Sequence, residues 1–460
     1  MASAAEQMAA NLSWSTFGKA KDLQSRILFA LALLIVYRLG TFIPMPGIDT
    51  DQLRIFMEQT QGGIVGVFNM FAGGAVSRMA IFTLGIMPYI SASIIMQLAT
   101  SMVPELEKLK KEGEAGRKKI NQYTRYGTVL LATVQAYGLA VGLESQGLAL
   151  DPGAFFRASA VITMVGGTMF LMWLGEQITA RGIGNGISLI IFVGIVAELP
   201  GALAQFFELG RTGQLNTLLI IGVMIMAVIV IYAVVFIERA QRRVLIQYPK
   251  RQISGQKMTG GENQFLPLKL NTAGVIPPIF ASSLLLLPTT IASFSAASGE
   301  SDGWLGTVAA LLGHGQPLFL VAFALLIVFF VFFYTAVVFN PDDVADNLKK
   351  HGGFIPGYKP GKQTAQYLDF VLTRLSVIGA IYLVIICLLP ELLIANVGVP
   401  FYFGGTSLLI VVSVTMDTIT QVQSHMLAHQ YEGLIEKSKI GGKGRARGKG
   451  TRGKGARGKA

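Results

Sequence analysis

Charge is what this chain has least of. Only 14% of its 460 residues are Asp, Glu, Lys or Arg, whereas 52% are hydrophobic. An ordinary soluble domain carries about 25% charged residues. The mean hydropathy of the chain is +0.55. These values exclude a typical soluble globular protein and predict an all-α chain that crosses a membrane many times.

Cysteine is also scarce, and no secretory leader is evident. Cys387 is the only cysteine, which excludes an intrachain disulfide, and its apolar surroundings predict an inert buried thiol. Residues 1–25 lack the compact apolar run and the small-residue cleavage site of a signal peptide. We therefore expect the N-terminus to remain in the mature protein.

The chain contains no complete enzyme motif. The glycine-rich stretch Arg181–Leu189 (RGIGNGISL) resembles a phosphate-binding loop, but it lacks a preceding strand and the Lys-Ser/Thr pair. A tight cytoplasmic turn, with Asn185 near the start of a helix, is the better interpretation. No cofactor is predicted.

Two further patterns fail as catalytic sites. His425 and His429 are spaced as in zinc proteases, but Met426 stands where the catalytic base Glu would be, so we expect solvated residues at a helix end. The stretch GGTS at 404–407 could belong to an intramembrane serine protease, but no histidine lies at membrane depth to act as its base. We predict no catalytic residue, no metal site and no enzyme activity.

Hydrophobic runs predict ten spanning helices. They are expected at about 24–43, 76–100, 122–142, 157–176, 184–204, 215–237, 272–294, 318–339, 372–392 and 401–421. The fifth and ninth have short uncharged runs, which is typical of helices that line an interior. Arg38 falls within the first span and should extend to the interface or pair with protein.

The distribution of positive charge predicts the orientation. With the N-terminus inside, 33 of the 38 lysines and arginines fall at residues 1–26, 104–125, 177–184, 238–271, 340–374 and 425–460. All of these segments then lie on the cytoplasmic side, as the positive-inside rule requires, and both termini are cytoplasmic. The asymmetry accounts for the basic composition without a role in DNA binding.

Ten helices divide into two halves of five. An odd number per half requires that the halves be related by an axis in the membrane plane, with a cleft between them as the natural pathway. We expect a cytoplasmic segment at 1–23, an N-terminal half at 24–204, a C-terminal half at 205–424 and a basic disordered tail at 425–460.

The stretch Gly62–Thr100 predicts a short apolar piece joined to a full span. Residues 64–72 are too few to cross a membrane, and Gly73-Gly74 then allows the chain to reverse before the uncharged run 79–98. A short helix at membrane depth survives only inside protein or a water-filled cavity. The residues alone leave two placements open, a stopper inside a pore and a helix lying on the outer surface.

Polar side chains within the spans point to the interior. Gln97 and Gln135 should face another helix or a cavity, because an unpaired amide is costly in lipid. The stripe of isoleucines at Ile86 and Ile90 has, taken alone, the ordinary interpretation of packing or lipid contact.

The cytoplasmic loops 238–271 and 340–374 are long, basic and interrupted by Gly and Pro. Long ordered loops in a compact protein are usually functional, so they could receive a cytosolic partner. A solvated positive loop without a partner is the alternative. For the Gly/Lys/Arg tail, anionic lipids or ribosomal RNA are candidate contacts, and a tail that only secures topology is equally compatible.

Several long motifs resemble the SecY family, the channel-forming subunits of the bacterial preprotein translocase. They are NMFAGGAVSRMAIFTLGIMPYISASIIMQL, KKEGEAGRKKINQYTRYGT, TMFLMWLGEQITARGIGNGIS, AGVIPPIFASS, FFYTAVVFNPDDVADNLKKHGGFIPGYKPGKQT and VPFYFGGTSLLIVVSV. They recur in family order from about residue 20 to 437. The resemblance implies ten helices in two inverted five-helix halves around an hourglass pore, with a short plug on the outer side.

The resemblance also implies roles for individual residues. The plug would occupy residues 62–75 and include Ile64, Val65, Val67, Phe68, Asn69, Met70, Phe71, Gly73 and Gly74. The ring of apolar pore residues would be Ile86, Ile90, Ile191, Ile279, Leu287 and Ile410. Ser91 and Gln135 match polar positions at a lateral gate between helices 2–3 and 7–8.

By the same resemblance, the long loops would receive the SecA motor ATPase or the translating ribosome. The candidate docking residues are Arg242, Arg243, Lys250, Arg251, Gly357 and Lys359. Lys359 stands where the family commonly has arginine, so it keeps the charge but loses the planar fork. SecE, SecG, signal sequences, unfolded preproteins and anionic lipids are the other implied partners, in the bacterial inner membrane.

A secondary transporter for a small solute is the alternative function. Such transporters also use inverted repeats and broken helices, but they place charged or carbonyl ligands at the midplane. The middles of these spans offer mainly Ile, Leu, Phe and Met.

Overall fold

The structure is a computed structural model that describes residues 21–59, 69, 72–213, 216–248, 251–253, 257–259, 263–285, 316–397 and 405–447. The helices are α1 (Lys21–Gly40), α2 (Thr50–Gln59), α3 (Met87–Met102), α4 (Pro104–Lys111), α5 (Glu114–Ser145), α6 (Ala154–Arg181), α7 (Gly186–Arg211), α8 (Thr217–Arg239), α9 (Ile276–Leu285), α10 (Pro317–Val338), α11 (Pro341–Lys350), α12 (Lys362–Val397) and α13 (Gly405–Arg447). Four short strands, β1 (Gln241–Gln247), β2 (Arg251–Ile253), β3 (Lys257–Thr259) and β4 (Asn263–Lys269), lie between α8 and α9.

Helices dominate the described chain because a bilayer leaves backbone groups no other local partner. By length and composition, α1, α5, α6, α7, α8, α10 and α12 could each cross a membrane. Each of the ten predicted spans overlaps a helix of the structure. The chain is therefore a multi-pass membrane protein.

In the first half, α5 packs against both α3 and α6. Ala132, Ala136 and Ala140 recur at every fourth position of α5 and are fully buried. Small residues at this spacing allow membrane helices to approach closely. On α6, Gly167 serves the same purpose, since a Cβ there would lie 2.0 Å from the carbonyl oxygen of Ile81.

The second span differs from its prediction. The helix begins at Met87 rather than near residue 76, and residues 72–86 form consecutive turns. Positive φ angles at Met79 (41°) and Gly85 (57°) prevent a helix there, and the proline after Met87 starts one. The turns are fixed to the end of α1 by hydrogen bonds from Met45 N to Met79 O (2.8 Å) and from Ile81 N to Ile43 O (3.0 Å).

In the second half, α12 packs between α10 and α13. The predicted ninth span was short, but α12 continues through Pro390 as one helix of 36 residues. The proline is accommodated because it lies inside the bundle, where neighbouring groups can satisfy the freed carbonyl. Cys387 is a buried thiol, as expected, with 1% of its surface exposed.

The last helix is longer than predicted. Its backbone is helical from Gly405 to Arg447, whereas the sequence predicted a disordered tail from residue 425. Leu, Ala, Glu and Lys, which are good helix formers, are frequent between residues 425 and 437, so the helix extends beyond the membrane-facing part. Residues 448–460 lie outside the described residues.

The glycine-rich stretch contacts both halves of the chain. As predicted, it is a tight turn: the Asn185 side chain accepts a hydrogen bond from Ile187 N (3.1 Å) and caps α7. In addition, Gly184 N donates to Oε1 of Gln421 on α13 (2.8 Å). Leu23, Ile183 and Met426 form a small apolar cluster beside this contact.

Candidate functional site

The pore residues implied by the resemblance come from both halves of the chain and are all buried where described. Ile86 and Ile90 belong to the start of α3, Ile191 to α7, Ile279 to α9 and Ile410 to α13. Their exposed fractions lie between 1% and 8%, and all five belong to one continuous apolar cluster. Leu287 lies outside the described residues.

The backbone explains how the α3 residues enter this cluster. Ile86 is the last residue before α3, and Ile90 N donates to its carbonyl oxygen at 3.1 Å, so the two side chains lie one turn apart on the same face. Gly85, with φ of 57°, turns the chain into the helix. The stripe of isoleucines is therefore buried in the protein and does not face lipid.

Part of the plug segment is described. Ile64, Val65, Val67, Phe68, Met70 and Phe71 lie outside the described residues. Asn69 is buried: its Oδ1 accepts a hydrogen bond from Ser77 N, and its carbonyl oxygen accepts one from Gly74 N, both at 2.8 Å. Gly73 and Gly74 have φ of 64° and 81°, a conformation that favours glycine.

The sequence left two outcomes open for Arg38, extension to the interface and pairing with protein. In the structure Arg38 pairs with protein. Its Nη1 donates to the carbonyl oxygen of Gly73 at 2.5 Å, and its Nη2 lies 3.9 Å from Glu198 on α7. Glu198 was not among the functional residues predicted from the sequence, although a carboxylate directly after an apolar run is a recognisable signal of an interior site.

The two polar residues proposed for the lateral gate lie on neighbouring helices. Ser91 on α3 is buried and Gln135 on α5 is half-buried. The two helices pack closely against each other, because a Cβ on Gly127 of α5 would lie 3.5 Å from the Cβ of Ala92 on α3. Gln97 faces protein as expected: its Nε2 donates to Ser93 at 3.4 Å, and its Oε1 is buried without a hydrogen-bond partner.

A cavity of about 440 Å³ lies between α3 and α5 on one side and α10 on the other. Its lining residues are Ser93, Met96, Gln97, Thr100, Lys110, Arg117, Ile120, Asn121, Thr124, Tyr334, Val337 and Val338. The cavity thus lies between helices of the two halves, and it contains both basic and apolar side chains.

The described parts of the two long loops form one structural unit, which we call the platform: those of residues 241–269 together with 340–375. β1 pairs with β4 in antiparallel register from Gln241–Lys269 to Gln247–Asn263. The alternation in β1 buries Val244 and Ile246 and leaves Arg242 and Arg243 exposed. The sequence predicted a loop here, because a two-stranded ladder of seven residues carries a weak pattern.

The platform has its own apolar core. Val244, Leu268, Ile355, Leu368, Val371, Leu372 and Leu375 form a cluster separate from the one in the membrane. This core fixes the tip of the second loop relative to the hairpin.

The tip carries Lys359 into solvent in a defined conformation. Lys359 N donates to Gln363 Oε1 (3.3 Å), and its carbonyl oxygen accepts from Thr364 Oγ1 (3.0 Å). Gly357 has φ of 90°, and Tyr358 stacks on Tyr367 with ring centroids 4.3 Å apart. Lys250 lies outside the described residues, and of Arg251 only the backbone, in β2, is described.

The described residues contain no group of three or more His, Cys, Asp or Glu side chains that could hold a metal ion. His425 is exposed on α13, as expected for a solvated residue.

Known structures share this fold. "The structure of a protein conducting channel" matches with a TM-score of 0.64 and 18% identity, over 87% of this chain and 92% of that chain. "The plug domain of the SecY protein stablizes the closed state of the translocation channel and maintains a membrane seal" matches with a TM-score of 0.61 and 18% identity over the same shares. "Sec61 in the Canine ribosome-channel complex from the endoplasmic reticulum" matches with a TM-score of 0.60, 18% identity and the same coverage.

Sequence relatives are much closer. The protein translocase subunit SecY of Pseudomonas aeruginosa is 56% identical over 433 residues, which cover 94% of this chain and 98% of the relative. The subunit of the same name from Escherichia coli K12 is 54% identical over 435 residues, again 94% and 98%. A family model named SecY matches residues 80–419. The fold, the conserved length and these matches together place this chain in the SecY family.

Proposed function

We propose that this chain is the channel of a protein translocase, which passes unfolded polypeptides across the membrane and releases apolar segments sideways into lipid. One observation carries the proposal. Five buried aliphatic side chains at the pore positions come from helices of both halves and belong to one continuous apolar cluster. Membership of the SecY family supports the same role.

The chemistry of such a channel is physical. A ring of branched aliphatic side chains can close around a moving polypeptide without offering polar groups that would retain it. A narrow apolar constriction also excludes water, and ions do not cross a dewetted segment. Ile86, Ile90, Ile191, Ile279, Leu287 and Ile410 would form this ring.

Lateral release follows from the two-half architecture. The halves meet where the turn before α7 contacts α13, and a cavity lies between α3 and α5 of one half and α10 of the other. A signal sequence would enter there, and its own burial, at about 0.8 kcal/mol for each CH₂, would help to hold the seam open. Ser91 and Gln135 would line the seam.

The platform is the proposed docking surface for the energy source. Arg242, Arg243 and Lys359 are exposed on a fixed framework, so they can pair with an acidic motor ATPase or with ribosomal RNA phosphates. Lys250 and Arg251 would extend the same surface. In this proposal the platform faces the cytoplasm, as does the C-terminus, in the bacterial inner membrane, with SecE, SecG and anionic lipids as partners.

The transporter alternative lacks a site. A transporter needs charged or carbonyl ligands at the midplane of broken helices. The central cluster of the described residues is made mainly of Ile, Leu, Val, Ala, Met and Phe side chains, together with Tyr37, Tyr382 and Cys387.

Crosslinking tests the proposal directly. In a Cys387→Ser background, single cysteines replace Ile86, Ile191 and Ile410, and a secretory chain carrying a crosslinker is arrested during transport. We expect all three cysteines to react with the arrested chain. A cysteine replacing the exposed Ile229 on α8 is the control and should not react. Absence of crosslinks at the three pore positions would overturn the pore assignment.

Deletion of residues 64–72 separates the function classes. A channel without its stopper should leak ions at rest. A transporter would lose activity without such a leak.

A further inference from the structure

The hinge that follows the plug segment sits among charged side chains from two other helices. Arg38, near the end of α1, donates through Nη1 to the carbonyl oxygen of Gly73 (2.5 Å). The same guanidinium lies 3.9 Å from the carboxylate of Glu198 on α7. Three segments that are distant in sequence are therefore joined at one point. Both charged side chains are less than a third exposed.

The space around the backbone of Gly73 and Gly74 is too small for a side chain. A Cβ on Gly73 would lie 2.7 Å from Tyr37 Oη and 3.0 Å from the Cα of Gly194. A Cβ on Gly74 would lie 2.2 Å from Glu198 Oε1. The Glu198 carboxylate therefore rests against the hinge backbone itself. Any outward movement of the hinge must break this contact and the Arg38 hydrogen bond together.

A second arginine belongs to the same cluster. Arg78 follows the hinge, and its Nη1 would lie 3.2 Å from a Cβ on Gly74. This nitrogen is buried and has no hydrogen-bond acceptor among the described residues. Arg38 and Arg78 both stack on Phe42, at 4.9 Å and 4.2 Å from the ring centroid. Glu198 thus offsets the positive charge of two neighbouring guanidinium groups.

We propose that Arg38 and Glu198 form a latch that holds the Gly73–Gly74 hinge, and with it the plug, in the closed channel. The inference rests on the proposed function, in which residues 62–75 stopper the pore. The hydrogen bond from Arg38 to Gly73 is charge-assisted, and such bonds are stronger than neutral ones; loss of one partner of the Arg38–Glu198 pair leaves the other charge uncompensated. Loss of the latch should raise the ratio of displaced to seated plug about 10- to 100-fold.

The test measures resting ion leak through the full-length channel in its native membrane, without a translocating chain. Glu198→Gln keeps the shape of the side chain and removes its charge, and Arg38→Gln is the second variant. Both should leak at least about tenfold more than the parent channel, following the ratio above. Glu144→Gln is the matched control, because Glu144 on α5 forms its ion pair with Arg157 on α6. The control should remain closed.

Combination with the deletion of residues 64–72 separates a latch from a general loss of structure. In a channel without the stopper, Glu198→Gln should add no further leak, because the latch has nothing left to hold. An additional leak in that background would overturn the latch. If the deletion channel leaks but the Glu198→Gln and Arg38→Gln channels do not, the latch is also overturned, while the proposed function stands. A deletion that does not leak would instead overturn the plug assignment.

Discussion

Gln247 and Phe354 exchange two backbone hydrogen bonds, from Gln247 N to Phe354 O at 2.9 Å and from Phe354 N to Gln247 O at 3.0 Å. They belong to different loops, one after α8 and the other after α11. A Cβ on the neighbouring Gly353 would lie 3.0 Å from the ring of Tyr248, so the two loops are also in close contact. Motion of the hairpin is thereby coupled to the tip that carries Lys359.

Breaking this pair should release the tip. Gln247→Pro removes the donor N–H, so the hydrogen bond to Phe354 O is lost, and the constrained backbone disturbs the one from Phe354 N. We expect residues 340–361 to become several-fold more sensitive to limited proteolysis in the purified membrane protein. Gln247→Ala keeps both backbone groups and is the control. Equal protection of the two variants would show that the platform core alone fixes the tip.

Lys359→Glu should weaken motor-driven secretion by about tenfold or more, with little loss of membrane insertion. A reversed charge at the exposed tip repels an acidic partner, and loss of one charge-assisted contact is worth about 1.5–3 kcal/mol. Lys359→Arg retains the charge and should retain secretion. Lys119→Glu makes the same charge change at an exposed position of α5, outside the platform, and serves as the control. An unchanged secretion rate in Lys359→Glu would contradict the docking role.

Ile191→Asn should make the occupied channel permeable to ions. Ile191 is 4% exposed in the central apolar cluster, and in the proposed pore an amide there would hydrate the constriction. Conductance is measured with an arrested polypeptide in the pore, and we expect an increase of several-fold. Ile191→Leu keeps the volume and the apolar character and should seal normally. A tight Ile191→Asn channel would argue that Ile191 lies away from the path.

Gly167→Ala and Gly166→Ala should differ in stability although the residues are adjacent on α6. A Cβ on Gly167 would lie 2.0 Å from the carbonyl oxygen of Ile81, a backbone atom that cannot rotate away, so we expect a loss of about 1–3 kcal/mol. Gly166 has nothing within 4 Å, and alanine there should be neutral or stabilising by up to about 1 kcal/mol. Thermal unfolding in detergent measures both. Equal Tm values would contradict the close packing of α6 on the turns before α3.

Local patterns were sufficient for several of these features. Asn185 was predicted to begin a helix after a tight turn, and its side chain does cap α7, because capping depends on residues two or three positions away. Arg38 was expected to extend to the interface or to pair with protein, because a charge within an apolar helix is costly. Apolar length alone located a helix within each of the ten predicted spans.

Other features depended on contacts that no local pattern contains. The start of α3 was misplaced because the turns at 72–86 are held by Ile43 and Met45, more than 30 residues earlier. The β1–β4 hairpin was missed because its alternation of buried and exposed residues arises from packing against Leu368 and Val371 of α12, which cover one face. The helical extension of α13 was also not expected from its glycine- and lysine-rich end.

Composition and the order of apolar and basic segments determined by themselves that this chain is a multi-pass membrane protein, and its motifs pointed to the SecY family. Only the tertiary structure decided that Glu198 meets Arg38 at Gly73 and that Gln247 meets Phe354. The physical reason is range: burial, helix length and capping are properties of neighbouring residues, whereas an ion pair or a backbone exchange between distant segments exists only after the helices have packed.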